Sequence, residues 1–274
     1  MNGAHEVVHE GRVMRHEMTT RASPSQVWSA WTEPARVSEW LTDRAEGGVG
    51  AGLTYTWIWD WCDMTVPYRV AGAETDRHLV LESDTRNAPG PVLEITISMR
   101  GGRTVVNLVA SGFGETADWD AEYEGTNAGW HAMLAVLQNY VEHHYGEPRS
   151  TFTAMRPAQF DSDRVVGEWF TGEGLSRWLV ERGGVGDEGS SFALTLRDGG
   201  SFTGRVLAVA SREVQLAWDE IGGVVGLMVM PGASGQGTLC INGGGWRLPA
   251  EAAAEVEAKL ERSLDRLVGQ MGSA

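Results

Sequence analysis

Residues 27–41 read VWSAWTEPARVSEWL and residues 165–179 read VVGEWFTGEGLSRWL. In each stretch a tryptophan precedes a Trp-Leu pair at the same spacing: Trp31 before Trp40-Leu41, and Trp169 before Trp178-Leu179. The echo continues downstream, where LTDRAEGGVG (41–50) is answered by the shorter LVERGGVG (179–186). Self-similarity at this spacing marks a tandem duplication and fixes the architecture before any single element is assigned. A length of 274 residues suits two domains of roughly 100–150 residues each. The linker expected around Gly146 to Ser150, broken by Pro148, divides the chain into domains at 1–149 and 150–274.

Local signals order the elements within each copy. Ser23 is a suitable N-cap, Pro24 suits the first helical position and Gln26 completes a Ser-x-x-Gln capping box, so a short helix is expected as far as Thr32. Glu33-Pro34 interrupts it, and Ala35 to Leu41 form a second short helix before the glycine-rich turn. In the second copy Asp161 is the cap and Gly172 to Gly174 separate the two helices. After each glycine turn the pattern changes to strand alternation. LTYTWIWDW (53–61) puts Tyr55, Trp57, Trp59 and Trp61 on one face. VPYRVAGA, HLVLES, VLEITISMR and RTVVNLVASG extend an antiparallel meander, the last two joined by Gly101-Gly102. Each half closes with a long amphipathic helix, one carrying Trp130, Leu134, Leu137 and Val141 on a stripe, the other Val256, Leu260, Leu264 and Leu267.

SPSQVWSAWTEPARVSEWL, GRTVVNLVASGF (102–113) and NAGWHAMLAVLQNYVE (127–142), in this order of elements, resemble the START/Bet v1-like (SRPBCC) superfamily, in the branch related to the activator of Hsp90 ATPase. The resemblance implies an α+β fold: two tandem helix-grip domains, each a curved antiparallel sheet around a long C-terminal helix. The second copy lacks clear counterparts of the Gly-Phe and Gly-Trp signatures. A tandem pair in a lysine-poor chain also resembles START-like proteins of enediyne antibiotic clusters, some of which bind the polyketide and some of which protect the producer. Fusing two copies implies an intramolecular pseudo-dimer whose halves have diverged.

In such a fold the concave sheet face and the long helix enclose a space. Tyr55, Trp57, Trp59, Trp61 and Trp130 either line a cavity there, with rings able to stack on a flat conjugated ligand, or fill the core. Leu134 continues the helix side of that space. Tyr68, Asn107 and Asn127 are either polar groups that orient a ligand or ordinary surface or capping residues. The second copy offers Phe192, Leu194 and Leu196 instead, so an aromatic ligand is expected to prefer the first domain. The leading expectation is a non-catalytic binder of a hydrophobic, polyketide-like small molecule. A polyketide cyclase would need His131, Tyr68 or Asp60 to move protons. A co-chaperone-like interaction module would need an exposed surface and no cavity.

Composition excludes other classes. A formal net charge of −15 repels phosphate backbones and anionic lipids, so neither nucleic acid nor membrane is an expected partner. MNGAHEVVHEGRVMRHEM lacks the apolar run of a signal peptide, and the chain is expected in the cytoplasm. Cys62 and Cys240 read as ordinary thiols in separate halves. His143 and His144 are adjacent, point about 100° apart on a helix and suit its C-terminus better than a metal. The acidic run ETADWDAEYE (115–124) reads as a solvated loop before the long helix. Gly184, Gly186 and Gly189 match G-x-G-x-x-G literally but follow a helix and precede a strand, the reverse of a dinucleotide site. No cofactor or metal is expected.

Overall fold

A computed structural model describes residues 11–83, 91–232 and 235–271; the opening MNGAHEVVHE, on which the targeting expectation partly rests, lies outside them. The chain divides into two compact units, Met1–Gly146 and Glu147–Ala274.

The first unit runs β1 (Arg12–Thr20), α1 (Pro24–Thr32), α2 (Pro34–Val37), β2 (Arg44–Gly47), β3 (Thr54–Trp59), β4 (Met64–Glu74), β5 (His78–Ser83), β6 (Val92–Arg100), β7 (Arg103–Phe113) and α3 (Asp120–His143). Its strands form one antiparallel sheet in the order β1-β7-β6-β5-β4-β3-β2, curled around α3. Arg100 opposes Arg103 across Gly101 and Gly102, whose φ values of 61° and 77° suit the tight turn that glycine permits. The capping box of α1 is formed as expected, with Ser23 Oγ accepting from the Gln26 N–H and the Gln26 side chain accepting from the Ser23 N–H. The second helix is shorter than expected and ends at Val37. There the Ser38 hydroxyl donates back to the Pro34 carbonyl at 2.9 Å, an alternative to regular helix. The third helix is longer than expected. Asp120 to Glu124 belong to its first turns, where negative charge suits the macrodipole, and Asp120 pairs with Arg12.

The second unit repeats the plan: β8 (Arg149–Gln159), α4 (Ser162–Val165), a π-turn over Val166–Phe170, α5 (Gly174–Trp178), β9 (Val180–Arg182), β10 (Ser191–Leu196), β11 (Ser201–Val209), β12 (Glu213–Trp218), β13 (Gly223–Pro231), β14 (Gln236–Trp246) and α6 (Ala250–Met271). Its sheet order, β8-β14-β13-β12-β11-β10-β9, is that of the first unit strand for strand. The fold is α+β, two tandem helix-grip arrangements.

The duplicated residues recur because each does the same physical work twice. The indole N–H of Trp40 donates to the Ala30 carbonyl at 2.8 Å, and that of Trp178 donates to the Trp169 carbonyl at 2.8 Å. Each ties the end of the second short helix, or the turn just after it, to the end of the first and satisfies a carbonyl that has run out of helical partners. The glycines recur for a steric reason. At Gly47 (φ 90°) a Cβ would sit 2.2 Å from the Thr54 carbonyl oxygen, and at Gly183 (φ 97°) 2.3 Å from that of Ala193. Each closes the approach of the edge hairpin. A bulge at Val70 in β4 is matched by one at Val206 in β11. In each, the valine N–H and carbonyl bond the preceding turn, Gly52-Leu53 in one unit and Gly189-Ser190 in the other. Such bulges add the local bend a curled sheet needs.

Candidate functional site

The first unit encloses a cavity of about 450 Å³ between the sheet and α3, within the range of roughly 300–1,000 Å³ that holds drug-sized ligands. Alternation on β3 aims Tyr55, Trp57 and Trp59 inward, and antiparallel pairing sets Tyr68 of β4 opposite Tyr55. Trp57 is the hub of the aromatic wall. Its ring centroid lies 4.8 Å from Tyr68, 6.2 Å from Trp59, 6.4 Å from Trp130 and 6.2 Å from Trp31. The contacts with Tyr68, Trp59 and Trp130 are edge-to-face, a favourable arrangement of ring quadrupoles. Trp59 is held in place by its N–H, which donates to the Leu41 carbonyl at 2.9 Å. Helix α3 supplies the opposite wall through Glu122, Thr126, Gly129, Trp130 and Met133, positions three and four apart that share one helical face.

Four of the residues expected at the site, Trp57, Trp59, Tyr68 and Trp130, line this cavity. Tyr55 is fully buried behind Trp57, at 6.1 Å between centroids, and its phenol is pushed above the ordinary value by burial. Leu134 is buried in the core one helical turn beyond Trp130. Trp61 leaves the strand face altogether. The Asp43 carboxylate accepts from the N–H of Asp60 at 2.8 Å and of Trp61 at 3.4 Å, and the chain turns into a 3₁₀ segment over Asp60–Cys62. Asn107 points away, because Thr104, Val106, Leu108 and Ala110 form the buried row of β7 and residue 107 falls on the alternate face. Asn127 and His131 face β1 rather than the cavity. Asn127 is hydrogen-bonded to His16 at 2.9 Å, with His131 6.4 Å from His16 between ring centroids. Asp60 is paired with Arg44 through two hydrogen bonds, outside the cavity. Of the three groups a proton-transfer reading calls on, Tyr68 alone is part of the lining.

The lining residues not foreseen include Glu122, Thr126, Gly129 and Met133 on α3 and the apolar wall of Leu93, Ala110 and Phe113. The helical ones carried a signal, since they step from Trp130 at helical spacing. Electrostatically the cavity is simple. Burial pushes the Tyr68 phenol above its ordinary value, so it remains a neutral group able to donate and accept. Among the described residues Glu122 supplies the lining's only formal charge. No group of three or more His, Cys, Asp or Glu side chains is placed to hold a metal among the described residues, and none of the described helices is long and apolar enough to cross a membrane.

The second unit carries a smaller cavity of about 140 Å³ at the corresponding place, lined by Leu179, Leu196, Asp198, Trp218 and Lys259 among others. Phe202 lies 4.8 Å from Phe192 and 4.4 Å from Trp218, and this ring cluster occupies the interior.

Residues 21–142 match the family model for Activator of Hsp90 ATPase homolog 1-like protein. The match covers most of the first unit and none of the second. The solution structure of the Aha1 dimer from Colwellia psychrerythraea is similar at 19% identity over 49% of this chain and 99% of that one, with a TM-score of 0.44. Two further structures align over nearly the whole chain. DynU16, a putative protein in the dynemicin biosynthetic locus, is 18% identical over 94% of this chain and 98% of its own, with a TM-score of 0.41. The di-domain ARO/CYC StfQ of the steffimycin biosynthetic pathway is 14% identical over 93% and 97%, with a TM-score of 0.40. No curated protein matches the chain significantly.

Proposed function

We propose that the protein binds a hydrophobic, planar, polyketide-like small molecule in the cavity of its first domain, with a role in natural-product biosynthesis or self-resistance. One observation carries this reading: a cavity of about 450 Å³ walled by Trp57, Trp59, Tyr68 and Trp130. Flat rings of this kind offer a conjugated ligand broad contact at little entropic cost. The interaction-module reading needs a filled interior, which the cavity does not favour. The cyclase reading loses His131 and Asp60 to partners outside the cavity.

The test is a tryptophan-fluorescence titration of the full chain with neutral planar polycycles, anthraquinone included. Saturable quenching is expected, weakened several-fold by Trp130→Leu, which keeps the helix apolar and removes the ring. If no planar polycycle gives a saturable response, the reading fails.

A further inference from the structure

The cavity's charge pattern identifies the chemical class of its ligand more narrowly than its shape does. Glu122 is the single charged side chain in the lining, and it stands in the first turn of α3 at the exposed rim. Two turns along the same face lies Trp130, with Thr126 between them at one turn from each. Several other carboxylates of the first unit are held in ion pairs: Asp120 with Arg12, Asp60 with Arg44, Glu39 with Arg36 and Glu142 with Arg21. Glu122 takes part in no ion pair or side-chain hydrogen bond among the described residues. The lining contains no lysine, arginine or histidine to neutralise an anion.

We propose that the preferred ligand is cationic: a flat apolar body bearing an amine, with its ring system in the aromatic wall and its ammonium between Glu122 and the face of Trp130. The proposal rests on the binding function above and refines it. Glu122 is exposed and so partly screened by water, but one uncompensated carboxylate at the rim of an apolar cavity still favours a cation over an anion. An ammonium placed near the Trp130 ring gains a second attraction from the indole quadrupole. Tyr68, neutral and without a hydrogen bond to any described residue, is available for a carbonyl or hydroxyl on the ligand's inner end. The surrounding charge of −15 acts in the same direction over a longer range and is screened by salt.

Calorimetric titration of the full chain with three probes sharing one ring system tests this: 9-(aminomethyl)anthracene, 9-anthracenemethanol and 9-anthracenecarboxylate at neutral pH. The amine should bind at least about tenfold more tightly than the alcohol, and the carboxylate most weakly. Glu122→Gln should cut the amine's advantage over the alcohol several-fold, leaving the part that the Trp130 ring supplies. Glu255→Gln, which makes the same change of net charge in the other domain, should leave the amine's advantage intact. Equal binding of amine and alcohol overturns the charge assignment while the binding function stands. An amine preference undiminished by Glu122→Gln overturns the role of Glu122. Failure of all three probes to bind removes the binding function itself, and the charge proposal with it.

Discussion

Gly129 offers a perturbation whose effects on stability and on binding run in opposite directions. It lies inside α3, lines the cavity, and a Cβ built on it meets no atom within 4 Å. Glycine in a helix interior costs about 0.8–1.0 kcal/mol relative to alanine, and leucine is nearly as good a helix former as alanine. Gly129→Ala and Gly129→Leu should therefore each stabilise the first domain by about 1 kcal/mol, a rise in Tm of roughly 2–4 °C for a unit of this size. The two differ in what they put into the cavity. Alanine adds one methyl group and should leave the affinity for a planar polycycle within about twofold. Leucine projects a branched chain between Trp130 and the opposite wall and should weaken binding at least tenfold, a loss of about 1.4 kcal/mol or more. Differential scanning calorimetry and a fluorescence titration on the same preparations read both quantities. A Leu variant that binds as tightly as the parent refutes the cavity as the binding site. One that unfolds at lower temperature than the parent refutes the open space beside Gly129.

Two further outcomes follow from the duplicated framework and from the seam between α3 and β1. Trp40→Phe and Trp178→Phe each remove an indole N–H from a helix-end carbonyl and should cost their own domain about 1–3 kcal/mol in denaturant unfolding; an unchanged midpoint in either would show that the repeated bond is dispensable. Burial lowers the His16 pKa below 6.5, the Asn127 hydrogen bond partly offsets it, and nearby His131 lowers it further. The folded state thus resists protonation that the unfolded chain accepts, so stability should be unaffected above that value and fall as the pH drops below it. His16→Gln should flatten the decline in Tm between about pH 7 and pH 5, and a decline of the same slope in the variant would refute the assignment.

Much of this architecture is legible locally. Capping, proline and glycine signals are interactions between near neighbours, and they place α1, the β6–β7 hairpin and the helix pair. The alternation of Tyr55, Trp57 and Trp59 is equally local. The pattern fails at Trp61 because a carboxylate from Asp43, distant in sequence, captures two backbone N–H groups and turns the strand aside. Asn107 failed for a related reason: the inward face of β7 is set by its pairing with two neighbours, and a one-residue choice of phase exchanges the faces. Glu122 was hidden by the reading of residues 115–124 as a loop, since only a helix beginning at Asp120 puts it on the face of Trp130.

Strand register explains why equal folds enclose unequal cavities. The matched turns and bulges, Leu53 bonded to Val70 in one unit and Ser190 to Val206 in the other, align β3 with β10, so that Phe192 stands where Tyr55 does, Leu194 where Trp57 does and Leu196 where Trp59 does. Cross-strand pairing agrees, with Tyr55 opposite Tyr68 in one unit and Phe192 opposite Gly204 in the other. The neutral phenol of the first cavity is thereby replaced by a glycine and two of its indoles by leucines, while Phe202, opposite Leu194, packs on Phe192 and Trp218. Those substitutions remove the aromatic wall and fill the space it enclosed. Helix, glycine turn and bulge are kept because they build the fold in either copy. The residues facing the interior are free to diverge, and in the first copy alone they leave room for a ligand-sized occupant.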